Sequence, residues 1–213
     1  MNGSARTYLP AAGRDIFLPL YDPIVALLGG DAAREQLLAH ADLRATDRIL
    51  DLGCGTGTLD VVIKRRAPRV DIVAIDPDPK ALARARKKAA RERLAIQFDE
   101  GFGDQLPYPP ATFDRVLSSL MFHHLPAEEK ANTLREVHRV LKPAGELDLM
   151  DIEAPGEHEP GFIERLLHSH HQLKDNSAAN VLAIMKEAGF GKAAKVGRRS
   201  QLFGGVAYYK AVK

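Results

Sequence analysis

Three glycines at alternate positions, Gly53, Gly55 and Gly57, follow directly on the run Ile49-Leu50-Asp51-Leu52, and a carboxylate, Asp76, closes the next apolar run. Glycine lets a backbone approach a ligand closely and turn sharply into a following helix. A helix starting at such a turn offers free N–H groups to an anion. An acidic side chain about 20 residues beyond the loop is placed to take the two hydroxyls of a ribose. Together these residues point to a cofactor that contains a nucleoside; the alternative is a tightly packed turn that binds nothing. The dinucleotide pattern G-x-G-x-x-G would need its third glycine where Thr58 stands, so the G-x-G-x-G spacing departs from pyrophosphate binding.

Other reactive side chains are fewer. His123 and His124 are adjacent and follow an apolar run, and histidine titrates in the range a general base needs. Packing of the loop is the competing reading. His168 and His171, three residues apart with His170 between them and His158 upstream, share a helix face. No cysteine or carboxylate set completes a metal site around them, so they read as a polar surface or pocket lining. Cys54 is the chain's one cysteine and lies inside the glycine loop. The basic run Lys192, Lys195, Arg198 and Arg199 suits RNA phosphates or, more simply, a solvated strand face. Arg84, Arg86, Lys87 and Lys88 read as the wet side of a helix.

These residues need a scaffold, and the pattern supplies one. Apolar runs at 48–52, 71–75, 95–98, 113–118 and 146–150 read as strands. Helical patterns at 58–66, 79–93 and 128–141 separate them, the last stopped by Pro143 and Gly145. Asp78 is placed as an N-cap before Pro79. A late helix spans 177–188 with Gly189 as its stop. Strands alternating with helices imply right-handed crossovers and a parallel sheet, and the glycine loop then falls on its carboxyl edge. Residues 193–196 and 205–212 have no helix between them and read as an antiparallel hairpin at the sheet edge. The stretch from Tyr8 to Leu28 is apolar but broken by Pro10, Pro19 and Pro23.

DLGCGTG followed by AIDPDP resembles the first two motifs of the class I S-adenosylmethionine-dependent methyltransferases. LPYPPATFDRVLSSLMFHHL and LREVHRVLKPAGELDLMD resemble that superfamily's later motifs, most closely the branch with the ubiquinone and menaquinone C-methyltransferases. The similarity runs from Ile49 to Asp151, half the chain. It implies a Rossmann-like α/β fold with a mostly parallel seven-stranded sheet and a C-terminal antiparallel hairpin. It also implies S-adenosylmethionine as cofactor. Asp51, Gly53, Cys54 and Gly55 would face its methionine part, Asp76 the ribose, Pro77 the adenine slot, and Ser118 the region beneath the sulfonium. Gly101-Phe102-Gly103 stands where relatives often carry Gly-Asp-Ala, so an acid-to-amine contact from Phe102 is excluded. Phe102 then leans on the purine or points into the core, and the backbone of Gly103 or Asp104 remains available. His123 and His124 are the candidate bases, and Tyr21 and Phe122 the candidate acceptor contacts. After the fourth strand stands Ser118-Ser119-Leu120, not the Asn-Pro-Pro-Tyr type of segment used on adenine amines.

The bulk properties agree with one domain over 1–213. Residues 1–47 are read as an N-terminal helical lid, 48–151 as the cofactor-binding core, and 152–213 as acceptor-side helices plus the hairpin. With 45% hydrophobic and 27% charged residues the chain has the composition of a globular protein. A net charge of +2 does not argue for nucleic acid or a membrane surface. No apolar run nears the roughly 20 residues of a membrane span, and the N-terminus lacks a signal-peptide core. One cysteine suits a reducing compartment, so a cytoplasmic location is expected. The expected function is methyl transfer to a small organic acceptor at O, N, C or S. The alternatives are a cofactor-binding subunit without catalysis and, more weakly, RNA methylation. No metal site is expected, and the oligomeric state is open.

Overall fold

The computed structural model describes residues 29–153, 176–201 and 204–213. Its elements, in chain order, are α1 (Gly30–Ala41), β1 (Arg48–Leu52), α2 (Thr58–Arg66), β2 (Asp71–Asp76), α3 (Pro79–Arg91), β3 (Gln97–Glu100), β4 (Phe113–Ser119), α4 (Ala127–Val140), β5 (Leu141–Ile152), α5 (Ala178–Glu187), β6 (Lys192–Gln201) and β7 (Gly204–Val212). A short 3₁₀ turn, Phe122–His124, lies between β4 and α4. The seven strands form one sheet in the order β3-β2-β1-β4-β5-β7-β6. β1 to β5 run parallel, and β7 is antiparallel to both β5 and β6. The strand order reverses between β1 and β4, which places the ligand crevice of an open α/β sheet at that point.

Alternation along the strands sorts the core into two layers. Leu50 and Leu52 of β1 join α4 and α5 on one face through Leu134, Val137, Val181 and Met185. Ile49 joins α1 and α2 on the other through Ala33, Leu37, Leu38, Leu59 and Ile63. By the period of two, Asp51 shares the face of Ile49, so a carboxylate sits under α1 and α2. The β4–β5 connection brings the two histidines to the same edge as the glycine loop, and Leu120 N–H donates to the Met150 carbonyl there at 2.9 Å.

The sequence pattern misses at three boundaries. β3 begins two residues later than expected, because α3 ends at Arg91 and Arg93 takes a left-handed conformation (φ 55°) before the chain straightens. α4 stops at Val140, and β5 begins at once with Leu141 paired to Phe113; Pro143 and Gly145 fall inside an irregular start of β5, where the register slips and Ala144 has φ 61°. β6 runs to Gln201 rather than ending at Val196. A bulge between Lys195 and Gly197 interrupts its alternation and leaves Val196 exposed. The hairpin itself is as expected, with β7 inserted between β5 and the edge strand. Its basic run is partly neutralised: Glu153 pairs with Lys195 and, at 3.0 Å, with Arg198. Among the described residues no helix is long and apolar enough to cross a membrane.

Candidate functional site

The glycine loop is shaped by three left-handed residues: Gly53 (φ 73°), Gly55 (φ 54°) and Gly57 (φ 73°). Each has its own reason. A Cβ on Gly53 would stand 2.3 Å from the Met121 side chain, and one on Gly57 2.8 Å from Ala85 of α3. At Gly55 nothing lies within 4 Å, so that residue borders open space. The loop is tied to β2 by Gly53 and Cys54 N–H groups donating to the Ile75 carbonyl at 2.9 and 3.1 Å. Asp76 completes the tie: its carboxylate accepts from Gly55 N–H at 2.8 Å and from Asp78 N–H at 2.9 Å. Each Asp76 oxygen keeps lone pairs beyond these bonds. Burial raises the Asp76 carboxyl above its ordinary range, against the lowering effect of both backbone donors.

A cavity of about 550 Å³ opens along this edge, in the size range of small-molecule sites. Asp51, Gly53, Cys54, Gly55, Asp76 and Pro77 border it, as do Phe102 and Gly103. Phe102 therefore faces the cavity rather than the core. Burial, with Asp60, Asp51 and Asp76 nearby, pushes the Cys54 thiol well up and keeps it a thiol. Beside the glycine loop, where Met121 packs on Gly53, the lining turns apolar, with Leu120, Met121 and Leu125 flanking His124 and Glu129 near them.

Three expected residues sit elsewhere. Ser118 is fully buried and donates its hydroxyl to the Leu52 carbonyl at 3.0 Å, stitching β4 to β1; strand alternation brings Ser119 to the cavity instead. Phe122 is the first residue of the 3₁₀ turn and dips into the core, with Lys130 Nζ 5.4 Å from its ring centre. His123 is buried behind the wall. Its Nδ1 lies 2.5 Å from Asp151 Oδ1, and its N–H donates to Oδ2 at 2.8 Å. Burial raises the Asp151 carboxyl, but the His123 charge and hydrogen bonds outweigh it and bring it below the ordinary range. The His123 ring packs on His124 with centroids 3.9 Å apart, so the buried histidine props the one that reaches the cavity. Tyr21, the helix with His168 and His171, and His158 lie outside the described residues. Among the described residues no group of three His, Cys, Asp or Glu is arranged around a metal position.

Three contributors escape the sequence reading. Arg34 of α1 is almost fully buried and borders the cavity. Its signal was position: it falls on the stripe of Ala33, Leu37, Leu38 and Ala41 that packs α1 on the sheet. Lys88 leaves the wet face of α3 and donates to the Thr58 hydroxyl at 2.7 Å, beside the loop. Asp60 is the third. It stands in the first turn of α2, is wholly buried, and lies within hydrogen-bonding reach of Asp51. Neither carboxylate has a hydrogen-bond donor among the described groups. Burial is the main cause that raises both acids, Asp60 to about 7.

A family model described as a methyltransferase domain matches residues 49–145. The chain is 38% identical over 159 residues to the demethylmenaquinone methyltransferase of Deinococcus radiodurans, covering 71% of this chain and 64% of that one. It is 36% identical over 151 residues to the demethylmenaquinone methyltransferase of Thermus thermophilus, covering 70% and 68%. The chain thus spans about two thirds of the length of these curated relatives. In fold it is similar to the Haemonchus contortus phospholethanolamine N-methyltransferase 2 in complex with phosphomonomethylethanolamine and S-adenosylhomocysteine. The TM-score is 0.81 at 15% identity, over 95% of this chain and 58% of that one. The chain belongs to the class I S-adenosylmethionine-dependent methyltransferases, of the menaquinone and ubiquinone type. The residues present fit that cofactor. Asp51 offers an unpartnered buried carboxylate to an ammonium group, Gly55 leaves space, and Asp76 retains acceptor capacity for ribose hydroxyls.

Proposed function

We propose that this methyltransferase adds a methyl group to the ring of a small, reduced, hydroxylated quinone, with His124 as the proton acceptor. The carrying observation is the mixed lining of the cavity: one wall, the glycine loop, carries Asp51 and Asp76, and a second, mainly apolar wall of Leu120, Met121 and Leu125 carries His124 beside Glu129. A flat aromatic acceptor suits the second wall, and the names of the two demethylmenaquinone methyltransferases support that chemical class.

Bound at the first wall, S-adenosylmethionine supplies an electrophilic methyl group. Asp76 fixes the ribose, and the Gly53–Gly55 backbone fixes the methionine end. Positioning of this kind is the main source of rate when the electrophile is already strong. His124 accepts the acceptor's hydroxyl proton, which moves electron density onto the neighbouring ring carbon. That carbon forms the new bond to the methyl carbon as the sulfur–methyl bond breaks. The displaced ring proton leaves as the hydroxyl is restored, so one proton is released per turnover. His123, held by Asp151, keeps the His124 ring in place from behind.

The test pairs the protein with S-adenosylmethionine and a panel of reduced naphthoquinols, benzoquinols and simple amines. S-adenosylhomocysteine release and product mass are read. A naphthoquinol gaining one methyl group on carbon is the expected result. His124→Gln should lower turnover on the order of 10²–10⁴-fold and leave cofactor affinity unchanged. Cofactor binding without turnover on any acceptor would turn the reading toward a non-catalytic subunit.

A further inference from the structure

We infer that Asp60 is a positioning residue that acts through Asp51: the two carboxyls hold one proton between them in the unliganded protein, and they release it when the cofactor's ammonium group docks on Asp51. The inference rests on the cofactor assignment proposed above.

The geometry begins with the strand pleat. Asp51 is on the β1 face covered by α1 and α2, and Asp60 is brought to it by the first turn of α2. Asp51 is 1% exposed and Asp60 0%, and none of their four oxygens meets a donor among the described groups. Two ionised carboxylates cannot share such a place at low cost; one proton turns their repulsion into an O–H···O bond. The helix N-terminus does not resolve the matter: the backbone N–H of Asp60 lowers its carboxyl, but burial outweighs that effect.

The surrounding charges leave a deficit. Arg34 on α1 offsets part of the negative charge on Asp51, and Lys88 on α3 part of that on Asp60. Arg34 is shared with Asp31 at 2.9 Å. Asp76 at the end of β2 adds a further negative charge, and Cys54 on the loop stays neutral. Three carboxylates thus face two cations. Asp51 borders the cavity, so an arriving ammonium group supplies the missing charge, and the shared proton is no longer needed. Asp78, Asp104, His124 and Glu129 also border the cavity, on the loop before α3, the segment after β3, the 3₁₀ turn and α4.

Calorimetric titration with S-adenosylhomocysteine, in two buffers of different ionisation enthalpy, counts the protons. At about pH 6 the intact protein should release between about half and one proton per ligand bound. Affinity should rise up to about tenfold per pH unit below neutrality. Asp60→Asn donates an amide N–H to Asp51 and keeps it ionised, so binding should persist with no proton release and a flat pH profile. His124→Gln should leave the release intact. Zero release in the intact protein, equal release in Asp60→Asn, or loss of release in His124→Gln would each overturn the inference. Absence of any binding by the intact protein at about pH 8 would overturn the cofactor reading and the inference together.

Discussion

Asp76 does two jobs with one carboxylate. Its oxygens hold the Gly55 and Asp78 N–H groups, which fixes the loop before any ligand arrives, and their remaining lone pairs face the cavity. Removing it therefore affects more than a ribose contact. Asp76→Asn keeps one acceptor oxygen and turns the other into a donor. It should weaken S-adenosylhomocysteine binding by about 1.5–3 kcal/mol, the range for a charged hydrogen-bond partner. Asp76→Ala leaves two backbone donors without acceptors, so it should weaken binding further and lower the melting temperature as well. Calorimetric titration beside a thermal melt separates the two effects. Unchanged affinity in both variants would remove Asp76 from the site. The position was legible because a carboxylate at a strand end is a local signal. The Asp51–Asp60 pair was not legible, since it is made by two elements meeting across the fold.

At the scale of elements, the glycine loop shows three identical residues under different constraints. Gly57→Ala drives a methyl group into Ala85 of α3 and forces a side chain into a left-handed backbone, so the α2–α3 packing must shift. It should cost about 1–3 kcal/mol of stability. Gly55→Ala meets no protein atom and carries only the backbone strain, about 1 kcal/mol or more, but its methyl group occupies cavity space. It should melt close to the parent and bind S-adenosylhomocysteine at least about tenfold more weakly. Equal melting temperatures for the two variants would contradict this division. The loop, the strand alternation and the Asp78 cap at α3 were all readable, because each is set by neighbours in sequence. The start of β5 was misread because Pro143 and Gly145 signal a break, while tertiary pairing of Leu141 with Phe113 overrides it. Ser118 and Phe122 were misplaced for a related reason. Sequence gives the edge on which a residue stands, but not which of two neighbours faces the ligand and which the core.

Over the whole molecule, buried acids of opposite character set how stability varies with pH. Folding raises the Asp51, Asp60, Asp76 and Asp148 carboxyls, in each case chiefly by burial. A raised carboxyl binds a proton that the unfolded chain gives up. Its contribution is complete below the unfolded value near 4 and is lost as pH rises through the folded value, about 7 for Asp60. Asp151 has the opposite sign, because His123 outweighs burial, and so does Glu136, through its bond to Arg139. Their contributions hold above the unfolded values and are lost as pH falls through about 4 and below. The unliganded protein should accordingly be most stable on the acid side of neutrality, and its melting temperature should fall between about pH 5 and about pH 8. Asp60→Asn removes the shared proton and gives Asp51 a permanent donor. Its melting temperature should fall much less over the same interval and exceed that of the parent above about pH 7. Saturating S-adenosylhomocysteine should flatten the parent curve in the same way, since the ligand's ammonium group replaces the proton. Scanning calorimetry across the interval, with and without ligand, is the measurement. Parallel curves for the parent and Asp60→Asn would show that the buried pair carries no proton linkage.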